Sequence, residues 1–169
     1  MKLLSVILPA YNEEKMIEKA RDTIGRILQA QEIVYEIVFI DDGSKDQTWK
    51  EIEKASAKDP HVAGIHFSRN FGKESAMMAG LANAKGDCCV VMDCDLQHPP
   101  ETLVEMYRLW EQGYEVVEGV KHSRGNESLA HKASAGLFYK IISKAVGIDM
   151  SRASDFKLLD RKAVNALLD

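Results

Sequence analysis

Short apolar runs alternate along this chain with longer segments of helical periodicity, and that alternation restricts its folds more than any other feature. Strand-like runs occupy residues 3–8, 36–40, 62–67, 88–92 and 115–120. After the first of them, Met16, Ile17, Ala20, Ile24, Ile27 and Leu28 recur at helical spacing and predict one apolar helix face. Ser44 and Gln47 have capping-box spacing ahead of a helix that carries Trp49 and Ile52 and stops at Asp59-Pro60. Pro99-Pro100 opens a further helix, with Leu103, Met106, Tyr107 and Trp110 inward and Gly113 at its end. Strands alternating with helices of this length build parallel βαβ units and a sheet covered on both faces. The predicted class is α/β, a mostly parallel sheet between two helical layers.

In an open α/β sheet, ligands bind beyond the carboxyl ends of the strands. Here those ends read Pro9-Ala10-Tyr11-Asn12-Glu13, Asp41-Asp42-Gly43-Ser44, Arg69-Asn70-Phe71-Gly72-Lys73 and Asp93-Cys94-Asp95. Any one of them is an ordinary strand stop. Four in succession bring polar and charged groups to one rim. Each also has a plainer use: Tyr11 packing over the first helix, Asn12 as its N-cap, Glu13 favoured in a first turn, Asp42-Gly43-Ser44 as a turn. Lys73 has a better case for a functional role, because a cation at a helix start is disfavoured, with a solvated lysine as its plain alternative. His98 and His131 read as surface or capping groups.

With 169 residues, 46% apolar and 28% charged, the chain has the make-up of one soluble domain with a real core. A net charge of -4 gives no reason to expect nucleic acid as a partner. Met1-Lys2 leads straight into a strand rather than a signal peptide, and no run approaches the roughly 18 apolar residues that span a bilayer. Cys88, Cys89 and Cys94 match no zinc ligand set, and their odd number argues against a disulfide framework. They are expected to be small buried side chains in a reducing cytosol. Residues 129–146 read as a helix, and the chain stops at Asp169 within another helical pattern, which predicts a longer parent protein.

Asp93 and Asp95 stand where a fully covered strand gives out, and an acid there needs a partner to offset its desolvation. At a strand-to-loop turn the two can converge on one ion. Hard oxygen ligands of this kind suit Mg²⁺ or Mn²⁺, completed by phosphate oxygens and water, and Gln97 can add a neutral oxygen. D-x-D alone is a weak motif, and two solvated acids in a loop are its plain alternative. Neither G-x-G-x-x-G after the first strand nor G-x-x-x-x-G-K-[ST] occurs, which speaks against a nicotinamide dehydrogenase or a P-loop NTPase. A nucleotide diphosphate would be held by a metal and basic side chains.

Taken in order, "VILPAYNEE", "FIDDGSKDQT", "SRNFGKE", "VMDCDLQHPPE" and "SDFKLLDR" resemble glycosyltransferase family 2. Within it they look most like the bacterial polyprenyl-phosphate branch similar to dolichol-phosphate mannose synthase. The resemblance covers essentially the whole chain. It implies a GT-A fold over residues 1–169 as a single catalytic domain, followed in a longer protein by C-terminal membrane helices. The implied reaction is inverting transfer from a UDP- or GDP-linked sugar to a polyprenyl phosphate, at the cytoplasmic face of the cell membrane. Pro9, Tyr11 and Glu13 would line the nucleotide pocket, Asp42 would contact the base or ribose, and Lys73 would join Asp93 and Asp95 around the nucleotide-sugar. Asp93, Asp95 and Gln97 would hold Mg²⁺ or Mn²⁺ on the diphosphate. Asp155 takes the position of the catalytic base, and Lys121 and Arg124 would lie near the acceptor phosphate. Lys121 stands where arginine is common in the family, so its contact would be a point charge rather than a bidentate fork. Two alternatives stay open: transfer to a sugar hydroxyl in surface polysaccharide synthesis, and a non-catalytic module that binds a nucleotide-sugar. A homo-oligomer is compatible with the resemblance.

Overall fold

The computed structural model describes residues 2–119 and 156–169. In chain order these form β1 (Leu3–Ala10), α1 (Ile17–Ala30), β2 (Val34–Asp41), α2 (Thr48–Lys58), β3 (Val62–His66), α3 (Lys73–Asn83), β4 (Cys88–Val91), α4 (Thr102–Glu111), β5 (Val116–Glu118), β6 (Lys157–Asp160) and α5 (Arg161–Leu168). The strands make one sheet in the order β3-β2-β1-β4-β6-β5. From β3 to β4 all pairings are parallel, whereas β6 runs antiparallel to both β4 and β5.

Period-two alternation sorts the side chains of the central strands into two cores. Leu4, Val6 and Leu8 of β1, with Cys88 and Val90 of β4, pack against α1, α2 and α4. Ile7, Cys89 and Val91 point the other way, against Met77 and Leu81 of α3 and Val164 and Leu167 of α5. The helical faces predicted from periodicity are buried as expected, including Ile17, Ala20, Ile24 and Leu28 of α1 and Leu103, Met106, Tyr107 and Trp110 of α4. The three cysteines are free and buried, and burial pushes their thiols upward, Cys89 to about 11. They are packing residues, as their spacing suggested.

Several local expectations fail for stated reasons. The capping box at Ser44 does not form: α2 starts at Thr48, and the Ser44 hydroxyl accepts the Asn12 N–H at 2.9 Å instead. Asn12 does not cap α1, which begins at Ile17; it adopts φ 53° in the loop ahead. The fifth strand is shorter than predicted, and β6 was read only as part of a motif, because four residues carry too little pattern to show a strand. The structure explains the last two residues of that motif. The Asp160 carboxylate accepts Lys162 N–H at the start of α5 and the Trp110 indole N–H, while the Arg161 guanidinium donates to the carbonyls of Ala84 and Gly86 beyond α3. Asp160 and Arg161 thus fasten three helices to the sheet. The predicted helix over residues 129–146 lies outside the described residues.

Candidate active site

The strand order reverses at β1: the chain goes to β2 on one side and later to β4 on the other. Such a switch point opens a crevice beyond the carboxyl ends of the two flanking strands. The loops after β1, β2 and β4, with the start of α3, share that rim.

Two of these loops are zipped together by side chains that the motifs supply. Asn12 N–H donates to Ser44 Oγ, and Lys45 N–H donates back to Asn12 Oδ1, both at 2.9 Å. Glu13 N–H reaches Thr48 Oγ1 at 2.8 Å, Glu14 N–H reaches Asp46 Oδ2, and Gln47 N–H donates to Glu14 Oε2. Burial alone would raise the Asp46 carboxyl, but the Thr48 hydroxyl and the backbone N–H groups of Thr48 and Glu14 hold it below its ordinary value. The polar residues of "YNEE" and "SKDQT" are therefore largely spent on each other. Tyr11, at 42% exposure, is left facing outward rather than packed over α1.

A second brace joins the β2 turn to the loop before α3. Asp42 is 4% exposed, and its two carboxylate oxygens accept Phe71 N–H at 2.7 Å and Gly72 N–H at 3.1 Å. Gly43 sits at φ 66°, and a Cβ there would run into the backbone of Arg69 and Asn70, so only glycine allows this approach. Gly72, at φ 99°, then turns the chain into α3. Next to Asp42, the fully buried Asp41 accepts Ser44 N–H and meets His66 Nδ1 at 2.7 Å, with the Trp49 ring stacked on that histidine. On the outer surface of the loop, the Arg69 guanidinium lies 4.4 Å from the centre of the exposed Phe71 ring.

The carboxylates gather at the β4 end of the rim. Asp93 and Asp95 are half-buried, and Lys73, the first residue of α3, places Nζ 2.7 Å from Asp93 Oδ1. Asp95 Oδ1 accepts Gln97 N–H at 3.1 Å around Leu96, which sits at φ 59°. A left-handed leucine is an uncommon, strained residue, and here it aims the turn that carries Asp95. Burial, then the charges of Asp95, Asp93 and Asp46, push the Glu13 carboxyl above the usual range. The rim thus gathers negative charge, countered at Asp93 by Lys73. Among the described residues no group of three or more His, Cys, Asp or Glu side chains is set to enclose a metal. Two hard carboxylates with an amide nearby fit an ion that keeps part of its shell for phosphate and water, which is the habit of Mg²⁺ and Mn²⁺.

Pro9, Tyr11, Glu13, Asp42, Lys73, Asp93, Asp95 and Gln97 all stand on the loops or strand ends of this rim, with Gln97 exposed and Pro9 half-buried. Lys121, Arg124 and Asp155 lie outside the described residues, as does His131. His98 is not a surface group; it is buried, its ring 4.8 Å from that of Phe156. Sequence reading missed the bracing roles of Asn12, Ser44, Asp46 and Thr48, which hydroxyl and carboxylate residues in two adjoining strand-end loops could have signalled. It also missed Lys157, a buried lysine on β6 in register with Val91, two residues before Asp93. Among the described residues no helix is long and apolar enough to cross a membrane.

An uncharacterized glycosyltransferase of Bacillus subtilis, YkcC, is 39% identical over 164 residues, covering 96% of this chain and 51% of that protein. A bactoprenol glucosyl transferase of Shigella phage SfV is 35% identical over 162 residues, covering 95% of this chain and 53% of its own length. The chain spans about half the length of the curated relatives it matches. Among solved structures, the mannosyltransferase PcManGT of Pyrobaculum calidifontis, determined with GDP-Man and Mn²⁺, superposes with a TM-score of 0.67 at 21% identity. That match covers 97% of this chain and 46% of the other, and it shows a shared GT-A fold. The model of the family described as Glycosyl transferase family 2 matches residues 5–168, and the chain belongs to that family.

Proposed function

We propose that residues 1–169 are the catalytic domain of an inverting transferase that moves a sugar from a UDP- or GDP-linked donor to a polyprenyl phosphate. The observation that carries this reading is the pair Asp93 and Asp95 at the end of β4, with Lys73 on Asp93, next to the switch point and the braced loops of Tyr11 and Asp42. In this reading the base and ribose lie toward Tyr11 and Asp42, and the diphosphate toward Asp93 and Asp95. The likeness to a bactoprenol glucosyl transferase over nearly the whole chain supports the lipid phosphate as acceptor.

Breaking the anomeric C–O bond builds negative charge on the diphosphate and oxocarbenium character on the sugar. Asp93, Asp95 and Gln97 would hold a divalent ion, which would supply Lewis-acid stabilisation to that leaving group. Lys73 adds a cation on the same side. Asp155 serves the sugar side. A phosphate monoester is already largely ionised near pH 7, its second pKa being roughly 6, so Asp155 acts more in placing and stabilising than in deprotonating. Lys121 and Arg124 receive the acceptor phosphate. An enzyme acting on a lipid phosphate works at a membrane surface, and the cytoplasmic face is where nucleotide-sugars are at hand.

The test is a donor panel of UDP-glucose, UDP-GlcNAc and GDP-mannose with detergent-dispersed undecaprenyl phosphate and Mn²⁺. One donor should give a lipid-linked sugar whose anomeric configuration, read by NMR, is opposite to that of the donor. Asp155→Asn should keep donor binding near the wild-type level while transfer falls at least about a hundredfold, the usual scale for a lost acid–base or charge-stabilising group. Transfer to free sugar hydroxyls but never to the lipid phosphate would overturn the acceptor assignment.

A further inference from the structure

Lys73 stands in a place a lysine does not choose. It is the first residue of α3, where the positive end of the helix macrodipole disfavours a cation. Its position is not free to drift, because Gly72 is turned at φ 99° and held through its N–H by the buried Asp42 carboxylate. From that fixed point its ammonium reaches Asp93 Oδ1 at 2.7 Å, and both side chains are 34% exposed. The chain therefore carries its own cation on one of the two carboxylates that suit a divalent ion.

We propose that Lys73 is an internal counter-cation, which occupies Asp93 until metal and diphosphate arrive together and then passes from the carboxylate to the diphosphate. The proposal rests on the reading of this rim as a metal-dependent nucleotide-sugar site. Its physical basis is charge competition. A divalent ion on Asp93 competes with the ammonium at Oδ1 for the charge of one carboxylate, since two cations there repel. A metal arriving alone displaces the lysine and gives it nothing in exchange. A metal arriving with a diphosphate brings two negative phosphates within reach of a flexible four-carbon stem anchored on the same rim. Metal and nucleotide binding are thereby coupled, and by linkage the coupling is reciprocal. The arrangement keeps the metal site from loading ahead of its substrate.

The test is a Mn²⁺ titration followed by electron paramagnetic resonance, on the protein alone and with UDP or GDP, for wild type, Lys73→Met and Lys73→Arg. Lys73→Met should bind Mn²⁺ alone about two- to fivefold more tightly, the range set by losing a half-exposed ion pair as competitor. The same variant should bind UDP or GDP at saturating Mn²⁺ about tenfold more weakly, through loss of a charge-assisted phosphate contact. Lys73→Arg, which keeps the charge, should stay near wild type on both. A residue of purely structural importance would lower both affinities together, and misfolding cannot tighten metal binding. Lys73→Gln, neutral and of similar length, repeats the test should the methionine variant fold poorly. Unchanged or weaker Mn²⁺ binding in the absence of nucleotide would overturn the proposal while leaving the metal site intact. Wild-type protein that takes up no Mn²⁺ with or without UDP or GDP would overturn the metal reading itself, and the proposal with it.

Discussion

Glu13 carries the clearest electrostatic mark of the rim. Burial raises its carboxyl above the ordinary range, and Asp95, Asp93 and Asp46 raise it further. A carboxyl whose folded value lies above its unfolded one is disfavoured in its ionised form by the fold. The penalty is absent below the unfolded value of 4.5 and grows as pH rises through the raised folded value. Glu13→Gln should therefore melt slightly higher than wild type at pH 7 and no higher at pH 4. A partly exposed site is screened, so the gain should be under about 1 kcal/mol, or roughly one to three degrees for a chain of this size. Melting curves at the two pH values in EDTA check this. The gain should shrink when Mn²⁺ and a nucleoside diphosphate are added, because the metal's positive charge favours the ionised glutamate that the neighbouring acids oppose. A variant that melts lower than wild type at pH 7 would show that Glu13 earns its place by a contact outweighing this repulsion.

At the level of elements, the site is made less by its strands than by the bracing between the loops that leave them. The turn after β2 is the hub, holding the β1 loop through Ser44, Asp46 and Thr48 and the α3 start through Asp42. Gly43→Ala should break that hub, since the alanine meets both a left-handed backbone and the Arg69 main chain. A destabilisation of at least about 2 kcal/mol is expected, some four to eight degrees in melting temperature, with weakened nucleotide binding. Wild-type stability would mean that the loop before α3 can retreat without loss. These braces also mark the limit of what the sequence displayed. Strands and helices with a sustained period, such as β1, α1 and α4, were legible, because periodicity is a local property of the chain. The four-residue β6 was not, and neither was its antiparallel direction, which depends on residues far away. Ser44 and Asn12 were misread for a related reason: each has the chemistry of a helix cap, and which N–H it serves is decided by a loop more than thirty residues distant. The four strand ends that form the rim were legible together, because the carboxyl-end rule needs only strand order and chain direction.

Because that rim draws on β1, β2, β4 and α3 of one sheet, a ligand that fills it should stabilise the whole molecule rather than one loop. Stabilisation follows mass action, about 2.7 kcal/mol at a ligand concentration one hundred times its dissociation constant. For a protein of this size that corresponds to roughly five to ten degrees. Mn²⁺ together with the matching diphosphate, UDP or GDP, should produce such a shift. Mn²⁺ alone should do little, since Lys73 already neutralises Asp93, and the diphosphate alone should do little because Asp93, Asp95 and Glu13 repel it. The shift from the pair should therefore exceed the sum of the two separate shifts. Asp95→Asn should remove most of it, as an amide oxygen supplies a ligand but no charge, and the variant should still fold because Asp95 is half-buried at a turn rather than in either core. The comparison of UDP with GDP also reads which base the Tyr11–Asp42 side of the rim accepts. An equal shift in EDTA and in Mn²⁺ would show that the diphosphate is held by basic side chains alone, and Asp93 and Asp95 would then lose their role as metal ligands.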